Sequence, residues 1–378
     1  MDWEQRALRL ADEVTDPVSR WRESIASTAR HELVPRWWER HDGDTWILRD
    51  GPSDIEHWMR RAYSDRSVIT RVGTAHADHG ELGDLTEGRP TSSATHPGLV
   101  VRMLRHGRLA EGMDLLDVGT GAGGLTAYAS RRLGDQHVTS VDVDPYLCDV
   151  ARDRLAAMGL HPQIHTLDAT ATKLPETYDR IIATVSVRPV PASWLAALRP
   201  GGRLVTTIAN TSLILTAWKT EDGGATGQFE RDWAGFMTSR RGEDYEPGLT
   251  KLFDVARDLD GDEVSTGRYP VVDVENAWEL RSMLEVLVPG VELDYEQQGR
   301  RRIAYLVHAD GSWARAAADR LNPPTVHQGG PRRLWDELER IRNRQSAEGG
   351  LSLYGSPVRV TPDGVCHLSR GRWTATIA

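Results

Sequence analysis

Apolar and polar positions change rhythm along this chain, and the rhythm divides it. Over the first ninety residues the pattern is broken. Val18, Trp21 and Ile25 recur at helical spacing with Pro35 soon after, and residues 74–90 are rich in Gly, Asp and His. This predicts short helices and irregular structure ending in an exposed loop. From Pro97 the pattern is regular: an amphipathic helix over 99–104, an apolar strand ending at Val118, a glycine turn, and a helix over 125–133. Strands follow over 137–143, to Asp168, over 181–185 and over 203–208, with helices over 146–158 and 194–198 between them. Strands alternating with helices require parallel pairing and helical crossovers, so the fold class is α/β, a doubly wound, mainly parallel sheet of Rossmann-like type.

After about residue 215 the alternation weakens. The run 223–229 reads as turn and strand, and Ile303, Tyr305 and Val307 alternate as in a half-buried strand. Leu334, Leu338 and Ile341 mark an amphipathic helix, and 358–368 around Pro362-Asp363-Gly364 reads as a hairpin. The expected organisation is an N-terminal helical and loop segment over 1–90, a ligand-binding core over 91–230, and sheet-completing strands with an accessory region over 231–378.

The turn after the first core strand, Asp117-Val-Gly119-Thr-Gly121-Ala-Gly123-Gly124, satisfies two templates. Gly119, Gly121 and Gly124 fit the dinucleotide fingerprint; Gly119, Gly121 and Gly123 after Asp117 fit the methyltransferase form. In both, glycines let the backbone turn tightly and approach a ligand at the sheet switch point. Asp142, ending the second strand, is placed to hold ribose hydroxyls in either case. Three features separate the two. Asp117 next to the ligand disfavours a pyrophosphate and suits the ammonium and sulfonium of S-adenosylmethionine. Asp168 is placed to accept from an adenine amino group, and Arg199-Pro-Gly-Gly-Arg203-Leu forms a turn common in methyltransferases. The fold class sharpens to a class I S-adenosylmethionine methyltransferase. The expected cofactor-binding residues are Asp117, Gly119, Thr120, Gly121, Gly123, Asp142, Val143, Asp168 and Ala169.

Composition narrows the class further. The 378 residues carry a net charge of −9, which argues against a nucleic-acid-coating protein. No apolar run is long enough to cross a bilayer, and the first residues lack a signal pattern, so a cytoplasmic location is expected. The two cysteines, Cys148 and Cys366, lack metal-type spacing and read as reduced thiols, Cys148 on the apolar side of a helix. His76, Asp78 and His79 lie close together but lack further ligands, so no metal is expected. The thirteen tryptophans read as packing residues, with Trp37 and Trp38 beside Pro35 as candidates for lining a peptide groove.

Several ordered motifs then resemble the protein L-isoaspartate O-methyltransferase family, over about residues 30–229. Arg30-His-Glu-Leu-Val-Pro35 resembles its Phe-Val-Pro element, and Ala62-Tyr-Ser-Asp65 its Tyr-x-Asp segment. Thr91-Ser-Ser93-Ala-Thr95-His96-Pro97 occupies the place of the Thr-Ile-Ser-Gln-Pro loop that covers the reaction centre, with Thr95 where the family has its active-site Ser. The resemblance implies carboxyl O-methylation of a peptide or protein substrate using S-adenosylmethionine. It also implies that Thr95 positions the acceptor carboxylate while Ser93 and His96 shape the same loop. The long C-terminal region, including Val326 to Asp336, resembles a longer subgroup associated with maturation of ribosomally made peptides such as lanthipeptides. That resemblance implies methylation of an Asp side chain in a modified, macrocyclic peptide, giving aspartimide and then isoaspartate. Repair of isoaspartyl residues in damaged proteins is the alternative, and a catalytically idle cofactor-binding escort of a peptide the third reading. The oligomeric state is left open.

Overall fold

The computed structural model describes residues 2–240, 242–349, 353–371 and 373–378. Its centre is a ten-stranded mixed sheet. Five parallel strands run in the order Gln163–Thr166, Val138–Asp142, Leu115–Val118, Tyr178–Val187, Leu198–Ile208. The antiparallel strands Leu213–Lys219, Ala225–Trp233, Pro357–Val360, Cys366–Arg370 and Trp373–Ile377 extend it. Sequence position reverses direction between Leu115–Val118 and Tyr178–Val187, which creates the switch point where α/β sheets bind ligands.

Alternation along each strand sends neighbours to opposite faces. Leu116, Ile181, Leu204 and Leu215 pack on one face with Leu284, Leu306, Trp335 and Leu368. Leu115, Ile182, Val205 and Ile214 pack on the other with Ala7, Trp37, Leu104 and Tyr128. Two of the core helices begin where the sequence supplies a side-chain cap. His96 accepts from Leu99 N ahead of Pro97–Gly107, and Asp144 accepts from Tyr146 N and Leu147 N ahead of Pro145–Ala157, each with proline in the first turn.

The first ninety residues differ from the expectation of helices and loops. The helices Trp3–Val14, Arg22–Ala26 and Ile55–Ala62 accompany a six-stranded antiparallel sheet. It includes the hairpin Arg36–Asp42/Thr45–Asp50 and the pair Val68–Val72/Pro90–Ala94. These strands are short and interrupted by charge, as in Arg36-Trp-Trp-Glu-Arg-His-Asp42, so no clean period of two shows. Val18 is 92% exposed, so it does not share a buried face with Trp21 and Ile25. The stretch 74–90 contains the strands Ala75–His76 and Leu85–Glu87 rather than being all loop.

Between Trp233 and Pro357 the chain forms a separate five-stranded antiparallel sheet, in the order Glu263–Thr266, Thr325–Gly329, Trp313–Asp319, Arg301–Val307, Glu292–Gln298. The helices Trp278–Leu287 and Leu334–Glu348 contribute Leu284, Trp335 and Leu338 to the core cluster that this sheet shares with the central one. No described helix is long and apolar enough to cross a membrane.

Candidate active site

A cleft of about 260 Å³ opens at the switch point. Its floor is the glycine turn after Leu115–Val118. Gly119, Gly121 and Gly123 have φ of 97°, 51° and 87°, a region that L side chains rarely adopt. Gly119 N and Thr120 N donate to Val141 O at 2.9 and 3.2 Å, tying the turn to the neighbouring strand. A Cβ on Gly121 would lie 3.2 Å from Ser93 O, so this glycine lets the turn and the Ser93 loop close on each other. Gly123 faces inward instead, where a Cβ would touch Ala151 and Leu155, and it serves helix packing rather than the cleft.

Asp142 lines the cleft at the end of its strand. Its Oδ2 accepts from Gly121 N at 2.9 Å and its Oδ1 from Asp144 N at 3.1 Å. Burial raises its pKa, against the pull of those two amide bonds. Thr120 and Val143 also line the cleft, with Thr120 Oγ1 2.7 Å from Ser140 Oγ.

Besides Gly123, three expected residues are not in the cleft lining. Asp117 points to its underside: it is wholly buried, and its Oδ2 accepts from Thr126 Oγ1 at 2.7 Å and Ser140 Oγ at 3.2 Å. Through Oδ2 it fixes the turn from below, while among the described residues its buried Oδ1 has no hydrogen-bond partner. Burial pushes its carboxyl up to about 7, against the hydrogen bonds from Thr126 and Ser140. Asp168 and Ala169 follow the strand Gln163–Thr166 without reaching the lining. Asp168 Oδ1 is taken by Thr170 N and Thr170 Oγ1 at 2.8 and 2.6 Å, and Ala169 O by Ser193 Oγ and Trp194 Nε1, each at 2.9 Å.

Ser93, Thr95 and His96 all line the cleft, on the wall facing the glycine turn. His96 is engaged as a helix cap: its Nδ1 accepts from Leu99 N at 3.3 Å and lies 3.2 Å from Asp65 Oδ1. His76 and Asp78 are likewise committed, to Asp144 at 3.2 Å and Arg154 at 2.8 Å. Cys148 is buried in the core, its thiol pushed up to about 11 by desolvation. Trp37 and Trp38 are buried and do not belong to the lining of the cleft, and Trp38 Nε1 donates to Ala75 O at 3.0 Å.

The remaining wall escaped sequence reading. Thr184 and Val185 line the cleft from the end of Tyr178–Val187, with Thr184 Oγ1 donating to Gly119 O at 3.0 Å. Only the rule that ligands sit at carboxyl ends of strands could have found them. Met237, Arg240 and Tyr245 line the cleft from the non-periodic stretch after Trp233. Ser186 pins that segment, its N–H donating to Met237 O and its Oγ to Phe236 O, both at 2.8 Å. Arg71, His76 and Arg240 converge on Asp144 Oδ2 at 3.5, 3.2 and 3.8 Å. Burial pushes Asp144 upward, but His76 and Arg71 hold it below the usual carboxylate range.

A glycine turn at the switch point, a strand-end carboxylate beside it and a second wall carrying hydroxyls define a Rossmann-like, class I methyltransferase fold. A solved structure titled protein-L-isoaspartate O-methyltransferase matches it with a TM-score of 0.52 at 18% identity, over 97% of this chain and 99% of that one. A profile of the protein-L-isoaspartate(D-aspartate) O-methyltransferase family matches residues 81–233. The Methanopyrus kandleri protein-L-isoaspartate O-methyltransferase is 34% identical over 210 residues, covering 53% of this chain and 75% of that protein. The chain belongs to the protein-L-isoaspartate O-methyltransferase family, whose members are S-adenosylmethionine-dependent carboxyl O-methyltransferases. The namesake from Thermotoga maritima is 30% identical over 125 residues, 32% of this chain, and the match spans only 39% of that relative. The fold shared with the solved structure extends over 97% of this chain, so it reaches into the C-terminal region.

Proposed function

We propose that this chain transfers a methyl group from S-adenosylmethionine to the free α-carboxylate of an isoaspartyl residue in a peptide or protein. The carrying observation is that the acceptor-type loop at Thr95 and the glycine turn line one cleft, so close that a Cβ on Gly121 would lie 3.2 Å from Ser93 O. Family membership favours the isoaspartyl acceptor over other carboxylates.

The residues present fit the cofactor. Asp142, held by two backbone amides at the strand end, offers carboxylate oxygens beside the cleft for ribose hydroxyls, and the Gly119–Gly121 turn allows close approach. When bound, S-adenosylmethionine supplies an electrophilic methyl carbon on a positively charged sulfur. The acceptor carboxylate is already ionised near neutral pH, so the site needs no strong general base. That suits a His96 occupied with capping a helix. Thr95 would donate its hydroxyl to one carboxylate oxygen and leave the other free to face the methyl donor in line with its sulfur. Holding that alignment contributes about 7–11 kcal/mol. The following backbone nitrogen of the ester product can then attack the carbonyl and expel methanol, a closure within one molecule that needs no further enzyme group.

A second reading rests on position 95. Threonine there, followed by His96, departs from the family's Ser-Gln pair and reshapes the acceptor wall. It favours an Asp side-chain carboxylate in a constrained, modified peptide, leading to aspartimide and isoaspartate. Mass spectrometry with S-adenosylmethionine and three matched peptides separates the two readings. A mass gain of one methyl on linear isoaspartate, with linear and macrocyclic Asp unchanged, is expected. Methylation of the macrocyclic Asp peptide alone, followed by loss of methanol, would overturn the isoaspartyl reading.

A further inference from the structure

The loop that carries Thr95 is held by a cation buried beneath it. Arg30 begins the short helix Arg30–Leu33 and is 3% exposed, and among the described residues no carboxylate lies within ion-pair distance of it. Its guanidinium instead donates to four backbone carbonyls. Nη1 reaches Ala62 O at the end of the helix Ile55–Ala62; Nη2 reaches Arg66 O, Ala94 O and Thr95 O at 3.1, 3.2 and 3.3 Å. Burying a cation without a counter-ion is costly, and burial lowers the pKa of this guanidinium. An apolar side chain filling the same space could not tie the 62–66 turn to the peptide units on either side of Thr95.

The other side of the loop is held by a carboxylate. Asp65, in that same turn, accepts from Gly98 N with Oδ1 at 2.7 Å and lies 3.2 Å from His96 Nδ1. Ser67 Oγ accepts from His96 N at 3.1 Å. The 62–67 turn therefore grips the loop by its carbonyls through Arg30 and by its amides directly. A trans peptide puts N–H and C=O on opposite sides. With Ala94 O drawn toward Arg30, the Thr95 N–H points away from it, and among the described residues no backbone or side-chain acceptor takes it.

We propose that Arg30 and Asp65 are positioning residues for the acceptor. They set the plane of the 94–95 and 95–96 peptides so that the Thr95 amide and hydroxyl present two convergent donors to a substrate carboxylate. This rests on the carboxyl-acceptor reading above, but the clamp itself has a readout that does not.

The test uses the full chain with Arg30→Lys, Asp65→Ala and Asp65→Asn. Lysine keeps the charge but not the planar fork that spans four carbonyls, and Asn keeps an oxygen that can accept from Gly98 N. Asp65 is about one-third exposed, so its variants fold even where a change at buried Arg30 does not. Expected for Arg30→Lys and Asp65→Ala is a kcat on an isoaspartyl peptide lowered about 10²-fold, with S-adenosylmethionine affinity by calorimetry within about twofold of wild type. Asp65→Asn restores most of kcat. Hydrogen exchange is expected to quicken at amides 94–99 in the first two variants and stay unchanged at 117–124. Wild-type kcat in Asp65→Ala, or cofactor affinity falling in step with kcat, overturns the proposal. If the wild-type chain leaves isoaspartate unmethylated, the acceptor reading fails; unchanged exchange at 94–99 in the variants separately shows that no clamp exists.

Discussion

Asp117 shows how much a single side chain can differ from what its motif position suggests. Between Leu116 and Val118 in a strand buried on both faces, a carboxylate reads the same whether it faces the cleft or its underside. Strand alternation and its bonds to Thr126 and Ser140 decide for the underside. The glycines and Asp142 were legible because a tight turn and a strand-end acid leave fixed spacings. Thr184 and Arg240 were not, since nothing about a threonine or an arginine in isolation says which wall it joins. The pH dependence of Asp117 is testable. Its carboxyl titrates near 7 in the folded chain and near 4 when unfolded, so folding takes up a proton in between. The resulting stability is fully present below about pH 4 and is lost as pH rises through 7. Asp117→Asn removes that dependence while keeping an oxygen for Thr126 and Ser140. The stability of the variant relative to wild type is therefore expected to rise between pH 4 and 7, by at most about 4 kcal/mol, and to level off above. Thermal melts of ligand-free protein across that range check it, and a difference constant with pH contradicts it.

At the scale of elements, the inner parallel strands were readable because burial on both faces writes apolar residues such as Leu115-Leu116 and Ile181-Ile182 into the sequence, while the edge strand Gln163–Thr166 was read from the alternation of strands and helices around it. The N-terminal strands were not, because the sheet they form is small and their partners, rather than their own pattern, hold them. The hairpin around Pro362-Asp363-Gly364 was readable from its turn residues, but its docking was not. Val190 N donates to Gly364 O at 3.1 Å, and a Cβ on Gly364 would lie 1.7 Å from Val190 O. The hairpin therefore locks onto the chain just after the strand Tyr178–Val187, whose end lines the cleft. Gly364→Ala is expected to destabilise by more than about 2 kcal/mol and to lower Tm by several degrees, because backbone must move. Gly299→Ala, where nothing lies within 4 Å, is expected to cost about 1 kcal/mol. Equal melting temperatures for the two variants would show that the contact does not hold the hairpin.

For the molecule as a whole, the C-terminal residues are two structures and not one. The strands of 357–377 complete the central sheet, while 263–329 form their own sheet against the same core. The sequence pattern pointed to both but could not show that one is inserted within the other, since pairing between distant strands leaves no local signal. What unites these parts is a cleft whose two walls are a cofactor-type turn and a hydroxyl-bearing acceptor loop, and the central proposal is that an isoaspartyl carboxylate takes the methyl group there. Carboxyl methyl esters hydrolyse in mild alkali, whereas methyl groups on nitrogen or carbon do not. The most direct measurement is to incubate the chain with S-adenosylmethionine carrying a tritiated methyl group and a peptide containing one isoaspartate, then raise the pH. Label on the peptide that leaves as volatile methanol, and is absent from the matched L-aspartyl peptide, is the predicted result. Label that survives alkali, or that appears on the aspartyl peptide alone, contradicts it.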